Sequence, residues 1–260
     1  MKRPIVFAAA LALAAAVAPG SYAATETPEL VHQNWSFQGP FGTFDRAALQ
    51  RGYQVYKEVC STCHAMKYMH FRDLGPAGPG GGIGLSEAQV RALAAQYQIT
   101  DGPNDQGVMF QRPGKPSDAF KAPFPNEEAA KVANGGAAPP DLSIVEKGRK
   151  GGPDYIYGLL TGFTKPPSGF KVPDGLYYNE QFPGHLIHMP PPLSEGAVSF
   201  SDGTPSTVPQ MAHDVATFLT WASDPNMEER KSSGLKVIGF LVVFTGVMYA
   251  AKRKVWSDVH

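Results

Sequence analysis

The sequence predicts an all-α fold: short helices joined by long loops, followed by one C-terminal transmembrane helix. Three observations carry that prediction. Apolar or small residues recur at positions 49, 52, 53, 56 and 60, the spacing of one buried helical face. Proline and glycine are abundant, 24 and 28 of 260 residues, and cluster without a repeat period, which marks connecting loops and argues against collagen-like or repeat architectures. Residues 235–251 are almost entirely apolar, with Lys236 at their edge.

Each element can be justified in order. Residues 1–23 form a signal peptide. Met1-Lys2-Arg3-Pro4 is its basic start, 5–17 its apolar core, and Ser21-Tyr22-Ala23 a small-x-small site cleaved after Ala23. That core is too short to span a membrane comfortably. Residues 24–42 are irregular, and 45–60 make the first helix. A Gly/Pro loop fills 75–84. Ser86 opens a second helix as half of a capping box with Gln89, reaching about Gln98. Pro103, Pro113, Pro116, Pro123 and Pro125 punctuate a loop over 100–125. Asn126 caps a short helix that stops at Asn134-Gly135. Residues 153–160 form another, entered by proline at its first turn and closed by Gly162. Turns dominate 163–209. A last helix before the anchor, 209–222, buries Val215, Phe218, Leu219 and Ala222. No strand pattern is strong enough to define a sheet. Loops of this length are uncommon in compact domains unless a ligand organises them.

Seventeen apolar residues are at the short limit for a membrane span, and Lys236 can snorkel to the headgroups. A buried core helix would not need the triple basic stop Lys252-Arg253-Lys254, which by the positive-inside rule faces the cytoplasm. The expected division is therefore signal peptide 1–23, exported domain 24–230, and anchor with a short cytoplasmic tail 231–260. The exported domain then lies in the periplasm, on the outer side of a bacterial inner (cytoplasmic) membrane. Formal charge is zero over the whole chain, yet residues 24–233 hold 17 Lys and Arg against 22 Asp and Glu, near −5. Nothing in that balance suggests nucleic acid. A mildly acidic surface suits a basic protein partner.

The chemistry centres on Cys60-Ser61-Thr62-Cys63-His64, the Cys-x-x-Cys-His signature of covalent c-type haem. Two thiols at this spacing add to the two vinyl groups of one haem, and the adjacent His64 serves as proximal iron ligand. These are the only two cysteines. A thioredoxin-like redox pair would have a helix opening at the first cysteine, whereas here a helix leads in from the N-terminal side. A zinc site would need a second paired ligand set, and His32, His70, His185, His188 and His213 show no such spacing. A plain Cys60–Cys63 disulfide is the blandest alternative. Export favours haem.

An electron carrier fills its sixth iron position, and a methionine thioether opposite histidine raises the potential. Met66 and Met69 are too close to His64. Met211 falls inside the last helix before the anchor, Met227 at the start of the anchor, and Met109 in a loop, where it competes. Met189 is best placed, because Pro190-Pro191-Pro192 stiffen its backbone. Its neighbour His188 is either a rival ligand or a surface histidine.

CSTCHAMKYMHFR at 60–72 resembles the cytochrome c1 family, the haem subunit of the ubiquinol–cytochrome c oxidoreductase (cytochrome bc1) complex. The likeness continues through RPGKPSD at 112–118, APPDLS at 138–143, GPDYIY at 152–157 with LLTG at 159–162, and YNEQFPGHLIHMPPPL at 178–193. It ends with 214–221, the anchor and KRKVW at 252–256. It spans nearly the whole mature chain in order. The resemblance implies Met189 as the axial ligand opposite His64, and Arg112 as partner of a haem propionate, a role suited to a planar, permanent cation. Relatives commonly carry a small residue where this chain has His188.

The resemblance further implies a class I cytochrome c-like core around the covalent haem. The helix ending at Cys60 is expected to cross the helix around Phe218, with Gly52 allowing close approach. It implies one haem c and a relay of single electrons from the Rieske iron–sulfur protein to cytochrome c. Cytochrome b would be the membrane neighbour. The chain would be no enzyme by itself, but a redox subunit of ubiquinol–cytochrome c reductase. The alternative is a membrane-anchored cytochrome c donating to a terminal oxidase. A haem enzyme or ligand sensor with an open iron position is a rival of another class.

Overall fold

In the computed structural model, residues 28–78 and 81–257 are described, so the expected signal peptide lies outside them. Helix α1 is Arg46–Glu58, capped by the Asp45 carboxylate, which accepts from the amides of Ala47 and Ala48. It buries Leu49, Gly52, Tyr53, Val55 and Tyr56 on one face. Short 3₁₀ turns follow at Cys60–Thr62 and Phe71–Leu74. Helix α2, Glu87–Ala94, starts at the expected box: the Ser86 hydroxyl accepts from Gln89 N, and Gln89 Oε1 accepts from Ser86 N. Asn126 caps α3, Glu127–Ala133, and α4 is Pro153–Thr161. Thr207 caps α5, Val208–Ser223, and α6 runs over Met227–Val255.

The core lies where α1 crosses α5, the most extensive helix contact in the fold. A Cβ on Gly52 would stand 2.0 Å from the Asp214 carbonyl oxygen and 2.8 Å from Phe218 Cβ, so only glycine lets the helices meet this closely. Tyr53 and Tyr56 pack on Phe218, which packs on Trp221, with ring centroids 5.5 to 5.9 Å apart. Phe71 and Phe120 extend the cluster. Burying a side chain such as Phe218 stabilises by about 1.5–3 kcal/mol. The Trp221 indole N–H is satisfied by the carbonyl of Gly81.

Two short ribbons form where the sequence shows no strand pattern strong enough to define a sheet. Strand β1, Gln98–Asp101, pairs antiparallel with β2, Phe110–Pro113; β3, Tyr177–Tyr178, pairs with β4, Leu186–Ile187. The second helix accordingly stops at Ala94 rather than near Gln98. Strands of two to four residues are at or below the shortest run in which alternation can be read. The ribbons trim the long loops without changing a helical architecture.

Helix α6, 29 residues and roughly 44 Å long, is apolar and long enough to cross a membrane. Of its residues only Met227 is buried. A core helix would be largely covered, so this one suits single-pass anchoring.

Candidate haem site

Helix α1 delivers the chain directly into the Cys60 turn. The amides of Cys63 and His64 both donate to the Cys60 carbonyl, at 3.2 and 2.9 Å. Ser61 Oγ donates to Lys57 O and Thr62 Oγ1 to Val59 O, each at 2.7 Å, tying the intervening side chains back to the helix. Both cysteines are unbridged and half-buried. Burial pushes the Cys60 thiol up to about 12, so it stays protonated at neutral pH. A buried, protonated thiol is a poor nucleophile for thiol–disulfide exchange.

His64 is oriented from 76 residues away. Its Nδ1 lies 2.8 Å from the Pro140 carbonyl oxygen. A carbonyl only accepts, so Nδ1 carries the proton and Nε2 keeps its lone pair. That is the tautomer an iron ligand needs. Burial pushes His64 below its usual range, against smaller opposing effects of the Pro140 carbonyl and Asp141, and so favours the neutral ring. Further bonds stitch the two segments together. Leu142 N donates to Ala65 O (2.8 Å), Lys67 N to Asp141 Oδ2 (3.0 Å), and Tyr68 N to the buried Ser143 hydroxyl (3.1 Å). Asp141 Oδ1 also accepts from Ser143 N, an Asx turn two residues long. In the sequence, 138–143 stand out only through the resemblance, which implies no role for these residues. The one available signal was the Pro-Pro-Asp-x-Ser pattern of a rigid turn.

Met189 follows β4 and precedes the three prolines. It is half-buried, whereas His188 beside it is exposed. The same stretch, through Pro191 and Leu193, borders a cavity of about 500 Å³ that Leu160 and Phe163 also line. Asn179, fully buried, braces this ribbon: its side-chain amide donates to Leu159 O, its Oδ1 accepts from Gln181 N, and its backbone N–H donates to His185 O. Met109 sits in the β1–β2 connection and is 55% exposed. Met66, Met69, Met211 and Met227 are buried.

Arg112 lies on β2. Its guanidinium donates two bonds to Asp118 (2.7 and 2.9 Å), one to Pro113 O and one to Asp101. The bond to Arg112 is the main cause that holds the Asp118 carboxyl down at about 2. The cation thus meets two carboxylates of its own chain, and it fastens the β1–β2 ribbon to the 113–118 turn.

Two unbridged sulfurs beside an imidazole whose Nδ1 is held by the backbone and whose Nε2 is left free fit covalent c-type haem, and the class is that of membrane-anchored c-type cytochromes. The comparisons sharpen this. The chain belongs to the cytochrome C1 family, which matches residues 35–259. It is 53% identical over 245 residues to a cytochrome b/c1 of Bradyrhizobium diazoefficiens, covering 87% of this chain but only 35% of that longer protein. It is 46% identical to cytochrome c1 of Rhodospirillum rubrum, covering 87% of each chain. With the mitochondrial heme protein cytochrome c1-2 of Solanum tuberosum it shares 47% identity, over 86% of this chain and 84% of the other. This is a haem-bearing electron-transport protein of the family that forms the haem subunit of the bc1 complex.

Proposed function

We propose that the chain relays single electrons from the Rieske iron–sulfur protein to cytochrome c within a cytochrome bc1 complex. Cys60 and Cys63 would hold the haem as thioethers, and His64 Nε2 and the Met189 thioether would ligate its iron. Bound there, the haem supplies a one-electron Fe(III)/Fe(II) couple. The Pro140 carbonyl keeps the His64 ring in one tautomer and one orientation, and the Asp141–Ser143 turn keeps that carbonyl in place. Pro190–Pro192 limit the freedom of the Met189 backbone. Arg112 fastens the β1–β2 ribbon through Asp101 and Asp118, and its one remaining guanidinium N–H is left to meet a haem propionate. Residues 24–230 form a class I-like domain outside a bacterial cytoplasmic membrane, with cytochrome b as neighbour of α6 and the C-terminus in the cytoplasm.

The observation that carries this reading is the His64–Pro140 bond on the same tight turn as two unbridged cysteines. Absorption spectra and redox titration of the full chain beside Met189→Leu test it. Wild type is expected to show a six-coordinate, low-spin haem that binds no carbon monoxide when reduced. The variant is expected to lose methionine ligation, bind carbon monoxide and fall steeply in potential. An unchanged spectrum would move the sixth ligand to His188 or Met109. Co-purification with a terminal oxidase instead of cytochrome b would replace the relay with the alternative reading.

A further inference from the structure

A tight loop beside the foot of the membrane helix takes no part in the electron path. The loop spans residues 36–43, and Thr43 N donates to Ser36 O at 3.1 Å to close it. It is rigid. Gly39 has φ +71°, and a Cβ on Gly42 would stand 2.1 Å from the Gln38 carbonyl oxygen. Its stem is pinned to the first turns of α6. Lys231 Nζ donates to the carbonyls of Phe37 (2.6 Å) and Gly42 (3.2 Å), while Glu228 accepts from Phe44 N (2.7 Å) and pairs with Arg46. The rings of Phe37 and Phe44 turn inward, buried and 5.1 Å apart. Phe41, between them in sequence, is 78% exposed.

A single exposed phenylalanine is ordinary on a protein surface. Its place distinguishes this one. The apolar run of α6 begins at Leu235, four residues past Lys231, or about 6 Å along the helix axis. The loop stem held by Lys231 therefore stands within the depth of a headgroup layer from the hydrocarbon, the zone where aromatic side chains with one apolar face partition. We propose that Phe41 is a second membrane contact, its ring set among lipid headgroups and the first acyl carbons. The domain then rests on the bilayer at two points, and the Lys231 and Glu228 bonds make those points one rigid unit that fixes its tilt. This rests on the reading of α6 as a membrane span.

Cys60 and Cys63 are the only cysteines and haem attachment consumes both, so Phe41→Cys offers one thiol for a nitroxide label. Full-length haem protein would be placed in phosphatidylcholine–phosphatidylglycerol vesicles, and collision with oxygen compared with collision with a water-soluble nickel chelate. Val242→Cys, in the apolar run, and Val132→Cys, 86% exposed on α3, mark the two extremes with the same label. The Phe41 site is expected to favour oxygen over nickel several-fold more than the Val132 site does, and less than the Val242 site. Equal nickel access at positions 41 and 132, with position 242 in lipid, would overturn the contact and leave the anchor standing. Nickel access at position 242 would overturn the anchor and the contact together. Protection of position 41 only in the assembled complex would assign the ring to a protein neighbour and overturn the lipid contact.

Discussion

At the scale of single residues, Asp141 and Arg112 show what the site and the ribbon need. Asp141 accepts from the amides of Lys67 and Ser143, so Asp141→Ala leaves two donors without partners beside the His64 segment. Loss of stability by about 0.5–1.5 kcal/mol is expected, since the Lys67 bond is exposed and the Ser143 bond only part-buried. Denaturant titration of the full chain measures it, and a broadened or altered haem spectrum would report a loosened His64. Arg112→Gln is expected to weaken the β1–β2 ribbon and to lower the midpoint potential by removing a cation beside a propionate. An unchanged potential would leave Arg112 to the ribbon alone. The cysteines and His64 were legible in the sequence because thioether and ligand chemistry impose a spacing that only those residue types satisfy. Pro140 was not legible. It acts through a carbonyl, which every residue has, across 76 positions of chain.

At the scale of elements, the α1–α5 crossing rests on two features, one of space and one of charge. Gly52→Ala forces a methyl group onto the Asp214 carbonyl, and about 1–3 kcal/mol or more is expected to be lost, readable as a lower denaturation midpoint. Asp214 is fully buried and takes bonds from Arg51 Nε (2.7 Å), Arg51 NH2 (3.1 Å) and Gln210 (3.0 Å). Burial alone would raise its carboxyl, but the His213 ring 3.8 Å away and the bonds from Arg51 and Gln210 outweigh burial and hold it below the ordinary range. Asp202, the second partner of Arg51, is held at about 2, first by Thr204 N and then by Arg51. A carboxyl depressed on folding stabilises the fold fully above its unfolded value and loses that contribution as pH falls through the folded value. Stability is therefore expected to decline between about pH 4 and about pH 2. Asp214→Asn should cost about 1.5–3 kcal/mol at neutral pH by weakening charged hydrogen bonds to Arg51, which keeps Asp202 as a partner, and should flatten the acid limb. Thermal melts across that range decide it. The helices themselves were legible because caps and apolar period are local: Ser86 and Asn126 cap where they were expected to, and the helix expected from residue 45 begins there, capped by Asp45. The ribbons were not, since four-residue strands with half-exposed faces leave no alternation to read.

At the scale of the whole molecule, charge is the property that sequence shows most directly and that no single contact carries. Residues 24–233 hold 17 basic against 22 acidic residues, and the basic stop at 252–254 balances much of that deficit on the far side of the apolar run. The zero overall figure thus hides a chain with an acidic domain and a basic tail. If the acidic domain meets a basic cytochrome c, long-range attraction should speed encounter, and salt should weaken it. The screening length is about 10 Å at 0.1 M and about 3 Å at 1 M ionic strength. Bimolecular electron transfer from the reduced chain to a basic cytochrome c, followed by stopped flow, is therefore expected to slow progressively as salt rises over that range. The midpoint potentials should hold nearly constant, which separates slower encounter from lost driving force. An acidic cytochrome c should show the opposite or no dependence. A flat salt profile with the basic acceptor would mean that docking relies on apolar contact around the exposed edge of the site, and that the net charge of the domain serves solubility alone.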